Sequence, residues 1–345
     1  MTRTPARSHA VLPRVLRAVF SLAVLAALAW FFKNNMPMVR QAWDAVTSAD
    51  PEFVGLAVML VLLSMFAMAE VMYQLMRAGG VDVRRRQAQA LTFSANSWAN
   101  TLPGGPALST VLQFRVQRSW GASVIVISWF VLLSGAVSTM WLVVLGLGSI
   151  VFLGASLSLY SLIGAGIAMA LLAGAVHWAS VHPLTLEKWT LYALPLINRL
   201  RRKPAHYGET EIAAHIRQLD AVRLAPGRFA WVALLSLVNR ALDLATLWCC
   251  IVAVTSNAPL WPAGDSGTDL AGVTLAYATA KIVGATGITP GGIGPVEAAL
   301  TATLAGVGMT AGSALAAALV YRLVSFILLT LVGWIIYAIG LKEKQ

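Results

Sequence analysis

The sequence predicts an all-α integral membrane protein of six full spans and two re-entrant helical hairpins, arranged as an inverted repeat. Three observations carry that expectation. The first is composition: 58% of the 345 residues are hydrophobic and only 11% are charged, with a mean hydropathy of +0.75, far from the balance of a soluble domain. The second is a matched pair of turns, Leu102-Pro103-Gly104-Gly105-Pro106 and Thr289-Pro290-Gly291-Gly292-Ile293-Gly294-Pro295. Each is followed, eighteen residues after its first proline, by a glycine and then a small hydroxyl residue, in Gly121-Ala122-Ser123 and Gly308-Met309-Thr310. The third is the one-sided placement of Lys and Arg outside the apolar runs.

Several apolar runs exceed the roughly 18 residues needed to cross a bilayer. The first, near 15–32, follows a basic N-terminus. It is long, and Lys33-Asn34-Asn35 comes next without a small-x-small cleavage site, so it reads as an uncleaved span. The second span lies near 52–76. A broken pair, 88–101 and 107–117, precedes the third span at 121–147, and these make up the first half, 1–147. The second half, 155–345, holds a span at 155–178, a polar segment at 179–228, a span at 229–256, a second broken pair at 270–288 and 295–307, and a last span at 311–340. The junction Leu147-Gly148-Ser149-Ile150 has almost no polar punctuation. A Pro-Gly-Gly turn inside an apolar run breaks a helix at membrane depth, where non-helical backbone persists only buried in protein or lining a cavity. Breaks in corresponding positions of two halves point to a transporter's substrate site.

Orientation follows from the basic residues. Arg3, Arg7, Arg14 and Arg17 stand at or before the start of the first span, and Arg77, Arg84, Arg85 and Arg86 follow the second. Arg115 and Arg118 close the first broken pair, Lys342 and Lys344 end the chain, and the polar segment holds Lys188, Arg199, Arg201, Arg202, Lys203, Arg217, Arg223 and Arg228. Only Lys33 and Arg40 fall on the opposite side. Both termini are therefore expected in the cytoplasm, with the first hairpin entering from that side and the second from outside. The net charge of +11 is mostly this bias and implies no nucleic-acid partner. Leu184–Trp189 and Ile212–Arg217 read as short amphipathic helices on the inner membrane surface. Neither the histidines nor the adjacent Cys249 and Cys250 have metal-ligand or disulfide spacing, so no metal and no cofactor is expected.

Six ionisable residues fall within the expected spans and hairpins: Glu70, Arg240, Asp243, Lys281, Glu297 and Arg322. A charge at the bilayer centre costs about 2.5–3.5 kcal/mol on insertion scales, so each needs a partner, water or a ligand. Arg240 and Asp243 are three apart on one helix, close enough to pair locally. Glu297, two residues past Pro295, stands in the first turn of a helix, where the dipole and free N–H groups favour a carboxylate. It reads either as a helix-start residue or as a charge partner. Arg322 has no local acid and must look across to Glu297, Asp243 or a ligand, and Lys281 is likewise alone on its helix. Glu70, near the end of its span, can snorkel. Cations near broken helix ends make an anion-binding environment suited to phosphate. Asn96, Asn100, Ser109, Thr110 and Gln113 surround the first break, as headgroup contacts or as partners for the interrupted backbone.

Leu102-Pro-Gly-Gly-Pro-Ala-Leu-Ser109 with Arg115 and Gly121, and above all Pro290-Gly-Gly-Ile-Gly-Pro-Val-Glu297, resemble the membrane domain of lysylphosphatidylglycerol synthases over nearly the whole chain. Two-part members attach an amino acid to phosphatidylglycerol with a soluble domain and move the product to the outer leaflet with the membrane domain. Stand-alone relatives are described as flippase-like. The resemblance implies translocation without synthesis in a bacterial cytoplasmic membrane, and it places Arg115 and Glu297 at the basic and acidic positions of the two motifs. The expected substrate is a membrane lipid or lipid-linked intermediate with an anionic or zwitterionic headgroup. The expected partners are a lipid-modifying transferase or a second copy of the chain. No Gly-x-x-x-x-Gly-Lys-Ser/Thr sequence occurs, so movement is expected to be gradient-driven or facilitated rather than ATP-driven. The competing expectation is a membrane subunit of a lipid aminoacyl or glycosyl transferase.

Overall fold

The computed structural model describes residues 44, 47–102, 104–154, 224–256, 268–285 and 289–340. The expected spans at 15–32 and 155–178, the polar segment up to residue 223, and Pro103 lie outside them. Within the described residues all regular structure is helical. Helix α1 runs Pro51–Ala78, α2 Arg85–Thr101, α3 Gly105–Ser119, α4 Val124–Gly154 and α5 Pro226–Thr255. Next come α6 Leu270–Ala285, a 3-10 turn Pro290–Gly292, α7 Pro295–Gly306 and α8 Ala311–Arg322. A π-helical turn, Leu323–Leu328, joins α8 to α9, Leu329–Gly340.

The boundaries follow local chemistry. Asp50 caps α1 by accepting from the Glu52 N–H at 2.9 Å, with Pro51 in the first turn where its missing N–H costs nothing. The two Pro-Gly-Gly segments share the conformation of their first glycine and differ at the second, where Gly105 opens α3 and Gly292 is left-handed at φ 68°. Gly104 and Gly291 have φ of 66° and 61°, a left-handed backbone that glycine adopts without strain. The residues matched eighteen positions on also behave alike. Gly121 and Gly308, at φ 87° and 109°, close α3 and α7, with Ala122 N–H donating to Gln117 O and Met309 N–H to Leu304 O, both at 3.1 Å. The following Ser123 and Thr310 then cap α4 and α8, accepting from the N–H of Val126 and Ser313. One sequence pattern thus writes the same helix–turn–cap twice.

Four helices are long and apolar enough to cross a membrane among the described residues: Pro51–Ala78, Val124–Ser149, Pro226–Thr255 and Ala311–Ile339. Two features differ from the sequence expectation. Helix α4 continues through Gly148 and Ser149 to Gly154, the Ser149 hydroxyl donating back to Gly146 O at 2.7 Å; an apolar flank gives glycine no reason to end a helix. The last span, expected as one regular helix, carries the π-turn directly after Arg322.

Helix α1 packs along α5, α2 lies on α9, and α6 lies on α4, while α2–α3 and α6–α7 form hairpins. Small residues permit the close approaches. A Cβ at Gly333 would strike Ser97 and the Phe93 carbonyl, so α2 and α9 meet at backbone distance. There Ser97 Oγ donates to Thr330 O at 2.9 Å, Asn100 Nδ2 to Thr330 Oγ1 at 3.2 Å, and Trp334 Nε1 to Thr101 Oγ1 at 3.2 Å. The C-terminal end of α2 also meets the second turn: the Asn100 carbonyl and the Phe326 ring both lie against Gly291, near the middle of the Ala311–Ile339 helix. Large apolar side chains such as Leu132, Ile282 and Ile339 face outward, the pattern of a surface solvated by lipid rather than water.

Candidate functional site

Ser64 of α1, Ser138 of α4, Arg240 of α5 and Ser325 of the π-turn each stand near the middle of a membrane-length helix. All four line one cavity of about 190 Å³, together with Asn96, Ser134, Ser236, Asn239, Asp243 and Lys281. Apolar walls come from Val61, Met65, Met68, Val71 and Leu329. Such a concentration of polar groups at the mid-point of four apolar helices has no packing rationale, since each polar atom there forgoes water.

The charges are arranged in two clusters. In the cavity, Lys281 Nζ lies 2.6 Å from Asp243 Oδ2, so α6 and α5 are joined by an ion pair. Asp243 also accepts from Tyr277 Oη at 3.1 Å and Tyr321 Oη at 2.9 Å. Arg240 donates to Ser138 Oγ at 2.5 Å and to Tyr277 Oη at 3.4 Å. The local Arg240–Asp243 pair expected from their spacing does not form directly. The tyrosine hydroxyl lies between them, and Lys281 supplies the cation. Lys281 also sits over the Tyr277 and Tyr321 rings, at 5.2 and 6.0 Å from their centroids.

The second cluster holds the second turn to the last span. Arg322 Nε donates to Glu297 Oε1 at 2.6 Å and its Nη2 to Gly291 O at 2.7 Å, with the guanidinium 4.2 Å over the Phe326 ring. Glu297 Oε2 accepts from the Gly294 N–H at 2.7 Å. Glu297 therefore serves both expected roles at once, one oxygen for the helix start and one for the charge partner. Gly292 and Gly294, at φ 68° and 93°, let the loop fold tightly enough to aim both groups inward. Pro290 opens the 3-10 turn that carries Gly291.

The remaining sequence candidates lie elsewhere. Arg115 is exposed on α3 and does not line the cavity. Ser109 is buried at 5% exposure, its hydroxyl 3.4 Å from Gln113 Nε2. Asn100 joins α2 to Thr330 and reaches the second turn through its carbonyl. Gly105 backs onto the Trp98 and Ala99 carbonyls, so it tightens the first hairpin rather than meeting the cavity. Glu70 pairs with Arg85 and accepts from Gln74. Sequence reasoning missed Tyr277, Tyr321 and Ser138. The first is one helical turn before Lys281 and the second is adjacent to Arg322, but tyrosines in apolar helices are common and gave no signal of their own. Among the described residues, no group of three or more His, Cys, Asp or Glu is placed to hold a metal.

Membrane-length helices around a charged cavity at mid-length define a multi-pass α-helical membrane protein. Residues 18–333 match the family model described as the lysylphosphatidylglycerol synthase TM region, and the chain belongs to that family. No curated protein matches it.

Proposed function

We propose that the protein is a lipid translocase, moving a phospholipid or lipid-linked intermediate with a charged headgroup between the leaflets of the bacterial cytoplasmic membrane. The observation that carries this reading is the cavity holding Arg240, Asp243 and Lys281 halfway along four apolar helices. A headgroup entering it would leave water only for a site already furnished with charge and hydroxyls, while its acyl chains stay in hydrocarbon.

The inverted-repeat plan belongs to the same proposal. Arms α3 and α7 have 15 and 12 residues, or about 22 and 18 Å at ~1.5 Å per residue, against a hydrocarbon core of ~30 Å. Both fit re-entrant arms. The end of α2, just before the first turn, meets the second turn near the middle of the last span, as hairpins inserted from opposite faces would. Packing is also exchanged between halves, α2 on α9 and α6 on α4, with α1 and α5 paired at the centre. Rocking of one half against the other would open the cavity to each leaflet in turn, with both termini in the cytoplasm. The test is reconstitution of the full chain in vesicles carrying labelled lipids. Protein-dependent loss of leaflet asymmetry supports translocation, and unchanged asymmetry across anionic, zwitterionic and aminoacylated lipids rejects it. The family's description names a synthase, and this favours a second reading as the membrane partner of a lipid aminoacyl or glycosyl transferase. Transferase activity that depends on the protein, without lipid movement, would select it.

A further inference from the structure

The cavity's wall is not electrically neutral. Among the described residues its ionisable lining is Arg240, Lys281 and Asp243, two cations and one carboxylate, which leaves one positive charge in excess. The carboxylate is committed. Asp243 accepts from Lys281, Tyr277 and Tyr321, which engages three of its roughly four acceptor sites. Arg240 is the opposite case. Among the described residues it meets no carboxylate within ion-pair distance, its contacts are two neutral hydroxyls, and its Nε has no hydrogen-bond partner. Asn96, another lining residue, has its Nδ2 buried and without a partner. The Arg322–Glu297 pair neutralises itself outside this wall.

A guanidinium at mid-membrane with neutral partners alone is costly unless an anion visits it. The site therefore offers donors and a positive charge; its one carboxylate among the described residues is engaged, and the acceptors that remain are neutral hydroxyl and amide oxygens. Its size admits such a ligand: a cavity of about 190 Å³ holds several waters and has room for a phosphate group and the first atoms of its substituents. We propose that this cavity binds the monoanionic phosphodiester of a phospholipid headgroup through Arg240, and that it excludes an aminoacylated headgroup. An added ammonium would find the one carboxylate occupied and two cations already present. This assignment rests on the translocase reading of the same cavity and names its substrate class: an anionic glycerophospholipid rather than a lysyl-modified one.

The test uses the purified full chain and calorimetric titration with short-chain phosphatidylglycerol, its lysyl ester and inorganic phosphate. Phosphatidylglycerol is expected to bind well above the other two. Arg240→Gln should weaken that binding about tenfold to a hundredfold, the worth of a charge-assisted contact to phosphate. Asp243→Asn, which leaves Lys281 uncompensated, should tighten it. The opposite directions keep the test decisive if one variant fails to fold. Equal or tighter binding of the lysyl ester, an unchanged affinity in Arg240→Gln, or weaker binding in Asp243→Asn would overturn the proposal. Inorganic phosphate bound as tightly as the lipid would overturn the lipid assignment and make this a soluble-anion site. The vesicle assay separates the two readings. Phosphatidylglycerol bound at Arg240 but never moved removes the translocase and keeps the site; lysyl ester moved equally by wild type and Arg240→Gln does the reverse.

Discussion

Replacing Arg322 by Gln removes the contact that ties the second turn to the last span. Both partners are deeply placed, with side-chain exposures of 12% for Arg322 and 8% for Glu297. The substitution deletes a 2.6 Å charged contact to Glu297 and a 2.7 Å bond to the Gly291 carbonyl. It leaves the Glu297 carboxylate with the Gly294 N–H as its remaining donor among the described residues, a capping contact of about 1 kcal/mol. An uncompensated buried charge costs about 3–5 kcal/mol, so Arg322→Gln should lose that much stability. Glu297→Gln should lose a similar amount less the residual cation–π contact of Arg322 with Phe326. In Glu297→Gln/Arg322→Gln no stranded charge remains, and the double variant should be more stable than the sum of the singles by about 2–3 kcal/mol, the upper range for residues in contact. Unfolding of the purified proteins in mixed micelles, followed by near-UV signal from the abundant tryptophans, gives the four corners of the cycle. Losses that add to within about 0.5 kcal/mol would refute the pairing and reduce Glu297 to a helix-start residue.

Further expectations follow from the same geometry. Gly291→Ala forces a side chain into a φ of 61° and against Phe326 and the Asn100 carbonyl, so it should destabilise by more than ~1 kcal/mol. Gly55→Ala, in α1 with open space around it, should be neutral or stabilising in the same unfolding assay, and equal effects at both glycines would contradict the close turn contact. Tyr321→Phe deletes one donor to Asp243 and should cost about 1.5–3 kcal/mol as a bond to a charged group; in a Lys281→Met/Asp243→Asn background the same change should cost far less. A cysteine at Ser138, on the cavity wall, should react with a small charged thiol reagent in the reconstituted protein, whereas one at Ala57, fully buried, should not. Failure of the cysteine at position 138 to react would mean that the cavity is closed to water.

The helices were legible because apolar length and punctuation agree. Asp50-Pro51 opens α1, and Gly79-Gly80 closes it with Gly79 N–H donating to Leu75 O at 3.0 Å and Val81 N–H to Met76 O at 3.0 Å. The paired Pro-Gly-Gly turns could be found from sequence because positive φ requires glycine and a helix start favours proline, so the backbone geometry is written in residue identity. The π-turn at Leu323–Leu328 had no such signature. Nothing in Leu-Val-Ser-Phe-Ile-Leu distinguishes a wide turn from a regular one; the turn lies where Arg322 and Phe326 pack on the second Pro-Gly-Gly turn. The continuation of α4 to Gly154 was hidden for a related reason: in an apolar run, glycine alone carries no stop signal.

The site divides along the same line. Membrane depth singled out Arg240, Asp243, Lys281, Glu297 and Arg322, because a charge among apolar residues is conspicuous wherever it falls. Which cation meets which acid was not legible. Helical spacing favoured Arg240 with Asp243, yet the closer partner of Asp243 comes from another helix, Lys281 of α6 at 2.6 Å. A residue three positions away on one helix shares a face, but cavity shape and the hydroxyls of Tyr277 and Ser138 decide where each head group turns. That redistribution is what leaves Arg240 without a carboxylate and Asp243 with three donors. Two residues whose spacing allows a neutral pair thus become an acid with three donors and a cation with no carboxylate among the described residues, and the proposed anion preference rests on that asymmetry.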